Sequence, residues 1–112
     1  MEPGIYAITN TITGEQYVGS ARLLPDRWRR HKYALRTHTH PTRRLQAAWD
    51  TYGPDAFTFT VLEETTVWMP NNILPIEREW IARLKPAYNA TWQETLERQL
   101  AAWVRRKEKR AT

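Results

Sequence analysis

The 112-residue chain contains no cysteine. That absence excludes a disulfide-stapled scaffold, a thiolate zinc site and a cysteine nucleophile together. No apolar run approaches the ~18–20 residues needed to cross a bilayer, and the start of the chain lacks a basic-then-apolar signal pattern. The expectation is a soluble, cytoplasmic protein with no membrane partner. Glycine is scarce, at four residues, and neither a Gly/Ser linker nor an internal repeat is present. Gly19-Ser20-Ala21 is not followed by the lysine of a phosphate-binding loop. What the chain does hold is aromatic: six Trp, five Tyr and two Phe, too much apolar area to leave unfolded. Its length fits one hydrophobic core.

Charge is unevenly placed. Residues 22–44 hold eight basic and one acidic side chain, net +7, and residues 45–97 hold three basic and eight acidic, net −5. Residues 98–110 return to net +5, with six basic and one acidic. Two basic blocks around an acidic middle point to a polyanionic partner, most simply nucleic acid, although a solvated basic face without a function carries the same pattern.

Gly4-Ile5-Tyr6-Ala7-Ile8-Thr9-Asn10 and Glu15-Gln16-Tyr17-Val18-Gly19-Ser20, separated by a Gly-bearing turn, read as a β-hairpin. With an even-length loop, opposed positions sum to an odd number, so Tyr6 is expected to pair with Tyr17 on one face. A helix follows from near Pro25, with Leu24, Trp28 and Leu35 as its apolar stripe. Arg27 and His31, one turn apart, share an edge of that helix. A second helix is expected over 42–52 with Leu45, Ala48, Trp49 and Tyr52 inward, stopped by Gly53-Pro54. Phe57 to Leu62 alternates as a third strand with one buried face. A third helix is expected from a cap at Asn71 or Asn72, with Pro75 in its first turn, to Leu84 before Lys85-Pro86. A last helix spans about Glu94 to Arg110. The fold class is α+β.

The third helix carries the most informative residue. Ile73, Glu77, Trp80, Ile81 and Leu84 lie on one stripe, so Glu77 packs inward, whereas Glu79 faces away and can pair with Arg83. A carboxylate on an apolar face is costly unless it is paired or binds a cation. A structural ion pair with a nearby arginine and a metal-binding role are both compatible with the pattern.

Gly4-Ile5-Tyr6 and, eleven residues after Tyr6, Tyr17-Val18-Gly19 resemble the paired motif of the GIY-YIG nuclease superfamily, with Val in place of the central Ile. The resemblance continues through Asn10-Thr11, Ser20-Ala21, Arg27-Trp28 and His31, His40, Leu62-Glu63-Glu64, the Glu77-to-Leu84 pattern, and Pro86 with Tyr88-Asn89. It covers about residues 3–90 and is closest to the catalytic domains of phage intron-homing endonucleases. It implies a small three-stranded antiparallel sheet flanked by helices, with a catalytic domain over 1–90 and a basic helical tail over 91–112.

By the same resemblance, Glu77 is the metal ligand, for Mg²⁺ with Mn²⁺ as a possible substitute. One carboxylate suffices if water and substrate phosphate complete the shell. Arg27 matches the arginine at the scissile phosphate, where a guanidinium stabilises developing charge. Tyr6 and Tyr17 match the motif tyrosines; either is a candidate base, and a phenol serves only if its pKa of about 10 is lowered. His31 is a candidate for proton transfer or phosphate contact. His40 matches a further family position, within a loop where a solvated histidine is equally expected. Asn89 ends the family domain, bracing backbone or serving the site. Gly4 and Gly19 read as positions where another group must come close.

The implied function is a divalent-metal-dependent DNA endonuclease, acting by water attack in the cytoplasm of a bacterial or phage-infected cell. A non-catalytic nucleic-acid-binding module is the rival. Arg27, Arg30, Arg43, Arg44, Arg105, Arg106 and Lys107 are the expected DNA contacts. The tail is rich in Lys and Arg and offers only Gln93 and Gln99 for reading base edges. Intrinsic sequence specificity is therefore expected to be low, with a separate DNA-binding domain or protein supplying the rest. The alternative for the tail is a helix docking Leu96, Leu100 and Trp103 on the domain.

Overall fold

In the computed structural model, which describes residues 2–89 and 100–107, the opening apolar run is the centre of the molecule. It forms strand β1 (Gly4–Asn10), followed by β2 (Gln16–Ala21), α1 (Leu24–Arg36), α2 (Arg43–Tyr52), a short 3₁₀ turn (Pro54–Ala56), β3 (Phe57–Glu64) and α3 (Pro70–Leu84). The sheet order is β2-β1-β3, with β1 antiparallel to both neighbours. Helices cover both faces. Tyr6 and Ile8 pack with Leu24 and Leu35 of α1 and Leu45, Ala48 and Trp49 of α2. Ile5, Ala7 and Val18 pack on the other side with Ile73 and the half-buried Ile76, Trp80, Ile81 and Leu84 of α3. A central strand covered on both faces must be apolar at successive positions, which is why β1 reads as a run and not as an alternation. The α+β class and the three-stranded antiparallel sheet are as expected.

Register differs from expectation. Tyr6 lies opposite Gly19, and Tyr17 lies opposite Ile8, so the direct Tyr6–Tyr17 pair does not form. The cause is the turn. Asn10 accepts the Gly14 amide at its carbonyl (2.7 Å), and its side-chain Oδ1 accepts from Ile12 N–H (3.0 Å). With Gly14 at φ 79°, this stabilises a longer loop and moves the pairing by two residues. Parity survives, so the two phenols remain on one face as diagonal neighbours, ring centroids 6.3 Å apart.

Strand β3 also departs from simple alternation. Tyr6 pairs with Val61 and Ile5 with Glu63, leaving Leu62 as the extra residue of a bulge. Phe57 and Phe59 face the α1/α2 core, Val61 is exposed, and Leu62 packs on the α3 side. The bulge brings β3 backbone against β1: a Cβ on Gly4 would lie 2.6 Å from the Glu63 carbonyl oxygen.

Helix α3 starts earlier than expected. Pro70, not Pro75, occupies the first turn, and Met69 is the cap residue, its carbonyl accepting from Asn72 and Ile73 (both 2.9 Å). Asn71 and Asn72 are inside the helix, as is Pro75. Pro70 lacks an N–H that a helix start leaves unpaired anyway, so it initiates at no hydrogen-bond cost. The helix ends at Lys85, in the left-handed conformation at φ 47°. Arg83 lies over the Trp80 ring, 4.8 Å from its centroid, in place of the expected pair with Glu79.

Residues 100–107 are helical, with Leu100, Trp103 and Val104 exposed. The remainder of the expected final helix, including Leu96 and Gln99, lies outside the described residues, as does Gln93 before it. No helix among the described residues is long and apolar enough to cross a membrane.

Candidate active site

Tyr6 is the buried pivot, 1% exposed. Its side chain crosses the opposed Gly19, where an added Cβ would sit 2.6 Å from the phenol oxygen. Glycine is needed in the second motif because a tyrosine ring occupies the space of its side chain. Tyr6 stacks on Phe59 at 5.0 Å. Its hydroxyl bonds His31 Nε2 at 2.5 Å, and His31 Nδ1 bonds His40 Nε2 at 2.7 Å. The Thr42 amide donates to His40 Nδ1 at 3.0 Å. Helix α1 supplies His31, the loop before α2 supplies His40, and the two rings stack at 5.0 Å. Tyr17 packs edge-on to His31 and to His40, at 5.5 and 6.5 Å. Both imidazoles are buried.

Burial sets the ionisation. It raises the Tyr6 phenol well above the ordinary range, reinforced by Tyr17 and opposed by Arg27. It raises Tyr17 as well, with Glu77 adding and Arg27 opposing. The interaction between the phenols holds Tyr6 up and Tyr17 down. Burial, with help from His40 and Arg27, depresses His31 to about 4, and burial lowers His40. Both histidines are neutral at pH 7.

Strand β2 has an open edge, and three groups close it. Tyr88 N–H donates to Gln16 O (3.0 Å). Asn89 makes a two-pronged bond to Val18, accepting from its N–H (2.8 Å) and donating to its carbonyl (2.9 Å). Ser20 Oγ donates to Glu77 Oε1 (3.1 Å), and the Ser20 backbone contributes a further bond. Because alternate residues of an edge strand turn their backbone groups outward, residues 16, 18 and 20 form a row that Tyr88, Asn89 and Glu77 occupy in turn. Asn89 thus braces β2 beside Tyr17. Glu77 is half-buried, and it makes no ion pair among the described residues. Burial raises its carboxyl, with Ser20, Arg78 and Arg27 opposing.

Arg27 is exposed on the edge of α1 that also carries His31. The structure therefore brings Tyr6, Tyr17, Arg27, His31, His40 and Glu77 into one electrostatically coupled group. The expected DNA contacts are more dispersed. Arg30 bonds Asp26 at 3.1 Å, Arg43 is exposed, and Arg44 donates to the carbonyls of Ala87 and Asn89, both at 3.3 Å. Arg105, Arg106 and Lys107 are exposed on the last helix. Sequence reasoning missed two contributors. Ser20 was legible in principle from strand parity, which aims it at α3; the Thr42 amide, a backbone group, has no signal in residue identity.

A GIY and a YVG segment paired across one hairpin, with an arginine and a histidine one helical turn apart and a carboxylate on the helix behind, define a catalytic domain of GIY-YIG type. The sequence matches the GIY-YIG catalytic domain family over residues 2–89, and the chain belongs to that family. It is 37% identical over 91 residues to Intron-associated endonuclease 1 of Enterobacteria phage T4, an alignment that spans 80% of this chain and 36% of that protein. The fold superposes on the catalytic domain of homing endonuclease I-TevI with a TM-score of 0.72 and 32% identity, covering 80% of this chain and 95% of that one. A mutant of the I-TevI catalytic domain gives a TM-score of 0.71 at 34% identity, covering 76% and 86%.

Proposed function

We propose that this domain is a divalent-metal-dependent DNA endonuclease that hydrolyses phosphodiester bonds by water attack, leaving 5′-phosphate and 3′-hydroxyl ends. The observation that carries the reading is Glu77: a half-buried carboxylate with no ion-pair partner among the described residues, within electrostatic reach of two phenols and Arg27. No group of three or more His, Cys, Asp or Glu able to hold a metal occurs among the described residues. The lone Glu77 carboxylate suits a hard ion such as Mg²⁺, with Mn²⁺ as substitute, which accepts one protein carboxylate and takes its other ligands from water and substrate phosphate. Such an ion supplies Lewis-acid polarisation of the phosphate and acidifies bound water.

The chain's own groups divide the remaining work. Arg27, exposed and always charged, binds the scissile phosphate and favours the more highly charged transition state. Tyr6 and Tyr17 hold their protons in the free domain, and each can orient the nucleophilic water by a hydrogen bond. Either accepts the water proton only once cationic charge at the phosphate lowers its pKa. Arg30, Arg43, Arg105, Arg106 and Lys107 supply phosphate contacts, which bind without reading sequence. Specificity then rests on a separate DNA-binding domain or protein.

The test is nicking of supercoiled plasmid by purified protein with Mg²⁺ or Mn²⁺. Glu77→Ala is expected to abolish cleavage while DNA binding survives, and Arg27→Ala to reduce it by roughly 10²-fold or more. Undiminished cleavage by Glu77→Ala overturns the assignment. Salt-sensitive binding by the wild type without any metal-dependent cleavage identifies a binding module instead.

A further inference from the structure

The geometry points to a directional hydrogen-bond chain in which the Thr42 backbone amide and His40 lock His31 as a donor to Tyr6, making His40 a positioning residue and barring His31 from acting as a base toward that phenol. This deepens the nuclease reading and rests on it for its catalytic meaning.

The argument begins at a group whose role is not adjustable. A backbone N–H donates and never accepts. The Thr42 amide meets His40 Nδ1 at 3.0 Å, so that nitrogen presents a lone pair. Neutral imidazole carries one N–H, which for His40 must then be on Nε2. Nε2 lies 2.7 Å from His31 Nδ1 and donates to it, so His31 Nδ1 is an acceptor. The hydrogen of His31 is thereby placed on Nε2, which faces the Tyr6 oxygen at 2.5 Å. Each tautomer is dictated by its predecessor.

A charged His31 would break the chain, because its Nδ1–H would meet the Nε2–H of His40 head-on. The same burial that excludes water from the two rings disfavours that charged form. Among the described residues no buried side-chain nitrogen or oxygen lacks a hydrogen-bond partner, so the chain leaves no donor stranded.

Two consequences follow. First, the Tyr6 oxygen receives a hydrogen from His31, so its own hydrogen turns away from the histidine toward the Tyr17 phenol. Second, His31 has no lone pair free to take a proton from Tyr6 or from water. Its service is to donate to the phenol oxygen, which favours negative charge there. Thr42 is suited to anchoring the chain because it is the residue before the first turn of α2, where amides are not consumed by helical bonds.

The direct test needs neither DNA nor metal, so its failure is separable from failure of the nuclease reading. Nitrogen chemical shifts of ¹⁵N-histidine-labelled full-length protein at pH 7 report the tautomer of each ring. Protonated Nε2 on both His31 and His40 is expected, with the His31 Nε2–H proton shifted downfield by the short bond to Tyr6. Protonated Nδ1 on either ring overturns the proposal.

Variants then test the link to catalysis. His40→Gln keeps an amide N–H to face His31, and is expected to retain cleavage within about threefold and to preserve the His31 Nε2–H signal. His40→Ala frees His31 to adopt either tautomer, and cleavage at saturating DNA is expected to fall by roughly tenfold or more, with unchanged DNA affinity. Thr42→Pro removes the single amide at a residue whose φ of −86° lies near the range of proline, and is expected to weaken the His31 Nε2–H signal. Persistence of that signal at full strength in both His40→Ala and Thr42→Pro refutes the chain. So does equal loss of cleavage in His40→Gln and His40→Ala.

Discussion

Gly4 and Gly19 face different obstacles, and replacing each by alanine separates stability from activity. Neither has the positive φ seen at Gly14 and Gly53, so the alanine backbone is acceptable at both. At Gly19 the new Cβ would lie 2.6 Å from the Tyr6 oxygen and 2.7 Å from Cζ, whereas ordinary contact begins at 3.4 Å. The phenol must retreat by several tenths of an ångström, and the end of a side chain can do so. The cost in stability is about 1–2 kcal/mol for overpacking, partly offset by the lower entropy of unfolded alanine. The retreat, however, disturbs the 2.5 Å bond to His31 and the alignment of the phenol with the site. Cleavage is therefore expected to fall by roughly 10–10²-fold.

At Gly4 the obstacle is the Glu63 carbonyl oxygen, also at 2.6 Å, which belongs to the β3 bulge. Backbone of a paired strand cannot step aside, and the expected loss is about 3 kcal/mol. Urea unfolding midpoints and plasmid nicking of both variants, at a temperature where each is folded, check the contrast. Two results would refute the reasoning. One is a Gly19→Ala protein with full activity; the other is a Gly4→Ala protein as stable as the wild type.

Stability should fall on acidification through His31. With its pKa depressed to about 4 in the fold, the unfolded chain binds a proton below pH 6.5 that the folded chain refuses, until both bind it near pH 4. The loss is about 2–3 kcal/mol across that window, and Glu77, whose carboxyl is raised, works in the opposite sense. Urea midpoints at pH 7 and 4.5 should accordingly converge for His31→Gln relative to wild type; parallel curves count against it. Asn89→Ala strips both bonds from Val18 and should cost about 2 kcal/mol with faster amide exchange at Val18, and unchanged exchange there refutes the bracing role. Replacing Arg105, Arg106 and Lys107 together by alanine should weaken binding to all DNA sequences alike. It should also flatten the log–log salt slope by roughly 2–3, with cleavage at saturating DNA retained; loss confined to one sequence would show base reading instead.

Much of this was written in residue order. The β1 run, the stripe of α1, that of α2 from Leu45 to Trp49 and the inward side of Glu77 are local periodicities, and a period of 2 or 3.6 survives within an element, although Tyr52, expected inward at the end of α2, is exposed. The paired Gly-Ile-Tyr and Tyr-Val-Gly segments, with Arg27, His31 and Glu77 at their spacings, were enough to indicate the family before any fold was in view. Local pattern cannot reveal how far one strand slides along another. The Asn10 turn decided that, setting Tyr6 against Gly19 and not against Tyr17. Nor could it reveal that Pro70 would begin α3, since three prolines and two asparagines between 70 and 86 offered competing starts and stops.

Only the tertiary structure decided the chemistry of contact. The row of Tyr88, Asn89 and Glu77 along β2 exists because an edge strand leaves backbone groups that distant segments must satisfy. The neutrality of His31 and His40 comes from burial among rings that α1, β1, β2 and the Thr37–Thr42 loop bring together. Residue identity states which groups can ionise or donate. Which of them do is settled by the dielectric and the partners that folding places around each, and here one of those partners is a backbone amide that any residue but proline would supply.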